Sequence, residues 1–85
     1  MKLLQRIVEL YQDEEILKAD GFDEAVIGIE ERSKRLIYSV GRCIETLMTK
    51  EDMSLEEAME YFDFNVKGAW VGDKTPIWCD DMMWL

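Results

Sequence analysis

Leu3, Leu4, Ile7, Val8 and Tyr11 recur at helical spacing with Gln5, Arg6 and Glu9 between them, which predicts an amphipathic helix over about 2–12. The pattern fades near Asp13. Ile16 falls on the side opposite Leu4 and Ile7, so the chain is expected to turn away and end this region at Gly21, where positive φ meets no Cβ clash. Two short runs of β-branched and aromatic residues then flank a polar centre in "EAVIGIEERSKRLIYSV". They predict a β-hairpin over about 25–39, with strands from Ala25 to Glu30 and from Arg35 to Ser39. The intervening "ERSK" lacks the Asn-Gly of a tight two-residue turn, so a longer loop is expected. Gly28 inside the first strand signals a bulge, a close backbone approach, or simply lost cross-strand packing.

The helical period returns at Val40, Cys43, Ile44, Leu47 and Met48, predicting a helix over about 39–50. Ser54 followed three residues later by Glu57 is a capping box, and it starts a third helix over about 54–67. Leu55, Ala58, Met59, Phe62 and Val66 are its expected buried face, Glu56, Glu57, Glu60 and Asp63 its outer one, and Gly68 its stop. Pro76 cannot donate to a ladder, so "PIWC" at about 76–79 can add only a short edge strand beside the hairpin. The reading is an α+β fold in which a small antiparallel sheet of two or three strands is packed by three helices.

All 85 residues are expected in one small domain, because half of such a chain could not bury a core. A homodimer or a partner would extend the burial available to it. No apolar run approaches the ~20 residues that cross a bilayer, and charge interrupts the N-terminal segment too early for a signal peptide, so the expected location is cytoplasmic. Cys43 and Cys79 are far apart and form no C-x-x-C pair, and they read as reduced, half-buried hydrophobes.

The net charge is −9, of which −7 lies in residues 51–85. Such a balance disfavours direct nucleic-acid binding and anionic membranes, which select cations, and favours a partner with a basic surface.

Enzyme chemistry finds little to work with. "GAWVGDKT" matches a phosphate loop in the spacing of Gly68, Lys74 and Thr75, but Asp73 replaces the glycine beside the phosphate with a repelling charge. A predicted helix precedes this loop where a strand belongs, and Pro76 follows where a helix belongs, so "GDKT" is read as a turn. The chain has no histidine, which removes Ser-His-Asp and Cys-His catalysis and makes a zinc or iron site hard to assemble. Asp80 with Asp81, and the carboxylates of the third helix, lack the spacing of a calcium loop. The expectation is a non-enzymatic protein without metal or cofactor.

Six of the nine aromatic residues follow residue 60 and are interleaved with acids. Buried rings anchor interfaces and rim charges speed encounter, so the candidate partner-binding set is Glu56, Glu60, Asp63, Phe64, Trp78, Asp80, Asp81 and Trp84. On this reading Asp80→Lys with Asp81→Lys would slow association and leave folding intact.

In the segments "ADGFDEAVIGI" and "EEAMEYFDFNVKGAWVGDKTPIW" the chain resembles small acidic open reading frames of bacteriophages that have no assigned activity. The likeness covers about two thirds of the chain, from Ala19 through Ile44 and from Met53 to Asp81, and rests on aromatic, glycine and proline placement. It implies a phage protein acting in the cytoplasm of a bacterial host, and it transfers no functional residues. The function expected is modulation or inhibition of a host protein, such as nucleic-acid-handling or defence machinery, through an acidic and aromatic surface. A ligand-sequestering oligomer and a minor structural or assembly protein are the alternatives.

If the phosphate-loop likeness is accidental, the protein shows no saturable ATP or GTP binding by calorimetry in the presence of magnesium. Micromolar affinity abolished by Lys74→Ala would reverse that reading.

Overall fold

Hydrophobic alternation in the centre of the chain builds a three-stranded sheet, which the computed structural model shows together with three α-helices; it describes residues 2–69 and 71–82. Strands β1 (Val26–Glu30) and β2 (Arg35–Ser39) form the antiparallel hairpin. The register slips between Val26 and Gly28, so Ile27 is the extra residue of a bulge beside the glycine that signalled it. The connection is a four-residue loop closed by Lys34 N–H donating to the Glu30 carbonyl at 2.8 Å. The Glu30 carboxylate accepts from Arg32 N–H at 3.0 Å and Ser33 N–H at 2.8 Å, and these backbone donors hold its pKa down at about 2.

Strand β3 (Ile77–Cys79) lies beside β2 as an edge strand just after Pro76, giving the order β1-β2-β3. It runs parallel to β2, so the sheet is mixed, not purely antiparallel. The reason is topological. The chain leaves β2 into a pair of helices and comes back along the same edge, a crossover that sets the returning strand parallel to the first.

Helix α1 (Leu3–Leu10) is shorter than its sequence pattern and buries Leu4 and Ile7, while Leu3 and Val8 stay exposed. The segment after it turns back at Gly21, whose φ of 91° requires a glycine. Helix α2 (Val40–Lys50) starts directly from β2 and buries Val40, Cys43, Ile44 and Leu47. Burial pushes the Cys43 thiol up to about 12, with the Asp81 charge adding to the effect.

Helix α3 (Leu55–Phe62) has the full capping box. Glu57 N–H donates to Ser54 Oγ at 3.2 Å and Ser54 N–H to Glu57 Oε1 at 2.9 Å, an arrangement worth on the order of 1 kcal/mol. Only Ala58 and Phe62 are buried on it, whereas Leu55 and Met59, expected inside, are 49% and 44% exposed. A helix this short touches the core along one narrow line. Beyond Phe62 the α-helix gives way to a π-helical turn, Asp63–Lys67, which ends at Gly68. The wider turn leaves Val66 packed against the core and turns Phe64 out to 79% exposure.

The C-terminal segment returns to the start of α2. Ser39 Oγ donates to Asp81 Oδ2 at 2.5 Å, Gly41 N–H donates to Asp81 Oδ1 at 2.8 Å, and Arg42 N–H donates to Ser39 Oγ at 3.0 Å. A Cβ at residue 41 would sit 3.1 Å from Asp81 Oδ1, so the glycine makes room for the carboxylate. These donors, the Ser39 hydroxyl first and then the Gly41 amide, lower the Asp81 pKa, as the Ser54 cap lowers that of Glu57.

Glu30, Glu57 and Asp81 all bind a proton more weakly in the folded chain than at their ordinary values of 4.5, 4.5 and 3.8. Each contribution is therefore complete above the ordinary value and lost as pH falls through the folded one. The urea midpoint is expected to decline progressively from about pH 5 to pH 2, and Asp81→Asn to make that decline shallower. An Asp81→Asn variant with an unchanged acid slope would show that the carboxylate does not hold α2.

Candidate functional site

Four aromatic side chains meet where the sheet, α3 and the turn after Gly21 converge. Tyr38 on β2 lies 5.2 Å from the Trp78 ring on β3, Trp78 packs edge-on against Phe62 at 5.3 Å, and Phe62 packs edge-on against Phe22 at 6.4 Å. Tyr38 is fully buried, and its phenol oxygen accepts the Ala19 N–H at 2.8 Å. Burial raises the pKa of Tyr38, and the Ala19 hydrogen bond opposes the shift only in part. That bond ties the irregular segment before Gly21 to the sheet.

Beside this cluster is a cleft of about 540 Å³. Ala19 to Phe22 form one wall and Tyr61, Asn65 and Val66 the facing one, with Leu47, Pro76 and Trp78 among the apolar residues between them. The volume lies within the range of ligand-sized pockets. The π-turn shapes one wall, and the Asn65 amide nitrogen is anchored on the Tyr61 carbonyl at 3.2 Å. Lys18 and Lys50 stand at the cleft with Asp20 and Glu51, and neither lysine forms an ion pair among the described residues. The Trp78 indole nitrogen is buried without a hydrogen-bond partner among the described residues, which leaves a donor unpaired beside the cleft.

The candidate residues read from sequence fall into separate places. Glu56 and Glu60 are exposed on α3 and Asp63 at the start of the π-turn, next to exposed Phe64. Trp78 faces inward, into the aromatic cluster and the cleft. Asp80 is exposed and accepts Met82 N–H at 3.2 Å, but Asp81 is committed to the start of α2. Reversing the charge of Asp81 would therefore remove a structural contact, against the expectation that folding is indifferent to it. Trp84 lies outside the described residues.

"GDKT" is a turn with a structural task. Thr75 N–H and hydroxyl both donate to the Gly72 carbonyl, at 3.1 and 2.7 Å. Lys74 Nζ reaches the Ser33 carbonyl at 2.7 Å, and Arg35 Nε donates to the Thr75 carbonyl at 2.5 Å. The lysine that resembled a phosphate ligand is used to pin this turn to the hairpin loop. Among the described residues no cluster of three or more metal-ligating side chains occurs, and no helix is long and apolar enough to cross a membrane.

Lys18, Gly21, Thr46, Lys50, Tyr61, Asn65 and Ala69 at the cleft were not among the residues selected from sequence. Ala19 to Phe22 and Tyr61, Asn65 and Val66 supply much of the lining, and no hydrophobic periodicity marks either stretch as part of a cleft. No protein-family model, curated protein or solved structure matches the chain.

Tyr38→Phe removes the acceptor of the Ala19 amide while keeping the ring. It should lower stability by about 1–2 kcal/mol in urea denaturation and speed hydrogen exchange at Ala19. Unchanged exchange at Ala19 would mean that the cleft wall is held by other contacts.

Proposed function

We propose that this chain is a non-enzymatic phage protein that binds a basic surface on a host protein and modulates or inhibits it, with the cleft as its anchor site. The observation that carries this reading is an apolar, aromatic-lined cleft of about 540 Å³ on a chain of net charge −9. Protein interfaces draw most of their energy from a few large side chains seated in desolvated pockets, surrounded by contacts that exclude water. Charge of one sign over the rest of the surface speeds encounter with the opposite sign. Exposed Glu56, Glu60 and Asp63 supply such steering charge, and Phe64, at 79% exposure beside them, offers a ring for a contact outside the cleft.

A second reading, a protein that sequesters a small ligand, is favoured by one observation. The buried Trp78 indole N–H has no acceptor among the described residues, and a ligand with an acceptor group in the cleft would provide one after a small shift of the ring.

Ala69 is exposed at the cleft, so Ala69→Trp fills the space without entering the core. In a pulldown from a bacterial host read by mass spectrometry, the full chain is expected to retain a stoichiometric protein partner and Ala69→Trp to lose it by roughly tenfold or more. Equal capture by both would exclude the cleft as anchor. A small molecule released on denaturation, with no protein retained, would favour the second reading.

A further inference from the structure

The cleft is not isolated. A smaller concavity of about 230 Å³ adjoins it and shares Gly21, Thr46 and Lys50 with it as common walls. On α2 the residues Thr46 and Lys50, four apart, form a ridge. Leu47 faces the cleft on one side of this ridge, and Glu45 and Thr49 face the smaller concavity on the other.

The two compartments differ in chemistry. Lys18 and Lys50 offset Asp20 and Glu51 at the cleft, so its charge is balanced, and Phe22, Leu47, Met53, Val66 and Trp78 give it apolar lining as well. The smaller concavity gathers three carboxylates, Asp23, Glu24 and Glu45, against two lysines, Lys2 and Lys50, and so holds one negative charge in excess. Lys2 lies 3.6 Å from Glu24 in an exposed ion pair, which leaves Asp23 and Glu45 without an ion-pair partner among the described residues. Arg42 joins Lys2, Asp23 and Glu24 in lining a further concavity. The hydroxyls of Thr46 and Thr49 donate to the Arg42 and Glu45 carbonyls, so their oxygens remain available as acceptors.

We infer that the two compartments together receive an extended peptide segment of a protein partner, with a large apolar or aromatic side chain in the cleft and an arginine or lysine over Asp23 and Glu45. This inference rests on the reading of the cleft as a partner anchor and adds the sequence that the partner must present. Charge complementarity selects the occupant: a chain of −9 whose smaller concavity has one carboxylate in excess, with Asp23 and Glu45 outside any ion pair among the described residues, attracts a cationic side chain and repels an anionic one. Crossing one ridge of a helix about 10 Å wide requires roughly two to three extended residues, so the two anchors are close in the partner's sequence. The acidic compartment supplies selectivity and the apolar one most of the affinity.

The test uses the full chain, isotope-labelled for NMR, and three probes with blocked ends: the tripeptides Trp-Gly-Arg and Trp-Gly-Glu, and N-acetyltryptophanamide. At low salt Trp-Gly-Arg is expected to shift the amides of Gly21, Thr46 and Lys50 and the Trp78 indole, and to bind at least roughly tenfold more tightly than Trp-Gly-Glu. Glu45→Lys should abolish that preference, and Glu45→Gln should reduce it, while binding of N-acetyltryptophanamide stays unchanged in both. Equal affinity of the two peptides, or a preference that survives Glu45→Lys, would overturn the inference and leave the cleft anchor standing. Failure of all three probes to shift cleft resonances would overturn it as well, and loss of the anchor reading itself is decided separately by capture with Ala69→Trp.

Discussion

Packing around Tyr38 is the constraint on which the other elements depend. Its residue occupies the central strand, so its backbone is held from both sides, by β1 and by β3. Its ring contacts Trp78, which contacts Phe62 on α3, which contacts Phe22 beyond the Gly21 turn. Its hydroxyl oxygen then satisfies an amide of the segment between α1 and β1, which is largely without regular structure. A small domain exposes much of its surface and has little core to spare, so one large side chain that joins sheet, helix and loop removes the need for several. The polar tip serves the loop and the apolar body serves the core.

Local patterns were legible wherever a short-range rule decides the outcome. The hairpin, its four-residue loop and the irregularity at Gly28 follow from alternation and turn chemistry, and the start of α3 follows from Ser54 and Glu57. The direction of β3 was not legible, because three residues after a proline state only that an edge strand is allowed. Parallel pairing is set by where α2 and α3 return the chain. The π-turn was hidden for a different reason. Phe62 and Val66 are four apart, and that spacing keeps both on one side whether backbone bonds span four residues or five. Burial on α3 was overestimated because an amphipathic stripe shows which face turns inward but not how far the neighbouring layer extends. Ala58 and Phe62 find a neighbour and Leu55 and Met59 do not.

Acidity proved to be several things at once. Glu30, Glu57 and Asp81 accept backbone amides at the hairpin loop and at two helix starts, where negative charge is favoured by the donors themselves. Glu56, Glu60 and Asp63 have no such occupation and face solvent. A sequence shows nineteen equivalent acids, and only the placement of amide groups around them divides structural from available charge. Asp80 and Asp81 differ in reach: adjacent in the chain, one is exposed and accepts only the nearby Met82 amide, and the other spans a serine hydroxyl and a glycine amide across about 40 residues of sequence.

The position of the cleft follows from the same economy. One wall comes from the segment that Tyr38 tethers through Ala19, the other from the π-turn, and the aromatic cluster meets both. Apart from α2 and Tyr61 near the end of α3, the lining comes from irregular segments and the π-turn and not from two elements packed along their length, and a concavity is left. Filling it from within would require larger residues at Ala19, Ala69 or Val71, yet these positions hold small side chains. Trp78 adds a donor that has no partner among the described residues, at a cost that a purely structural ring such as phenylalanine would avoid. Small residues along the walls and an unpaired indole beside them are what a core designed only for stability would eliminate. Their presence in one place is the local departure from a stability-only core on which the proposed anchor role of the cleft rests.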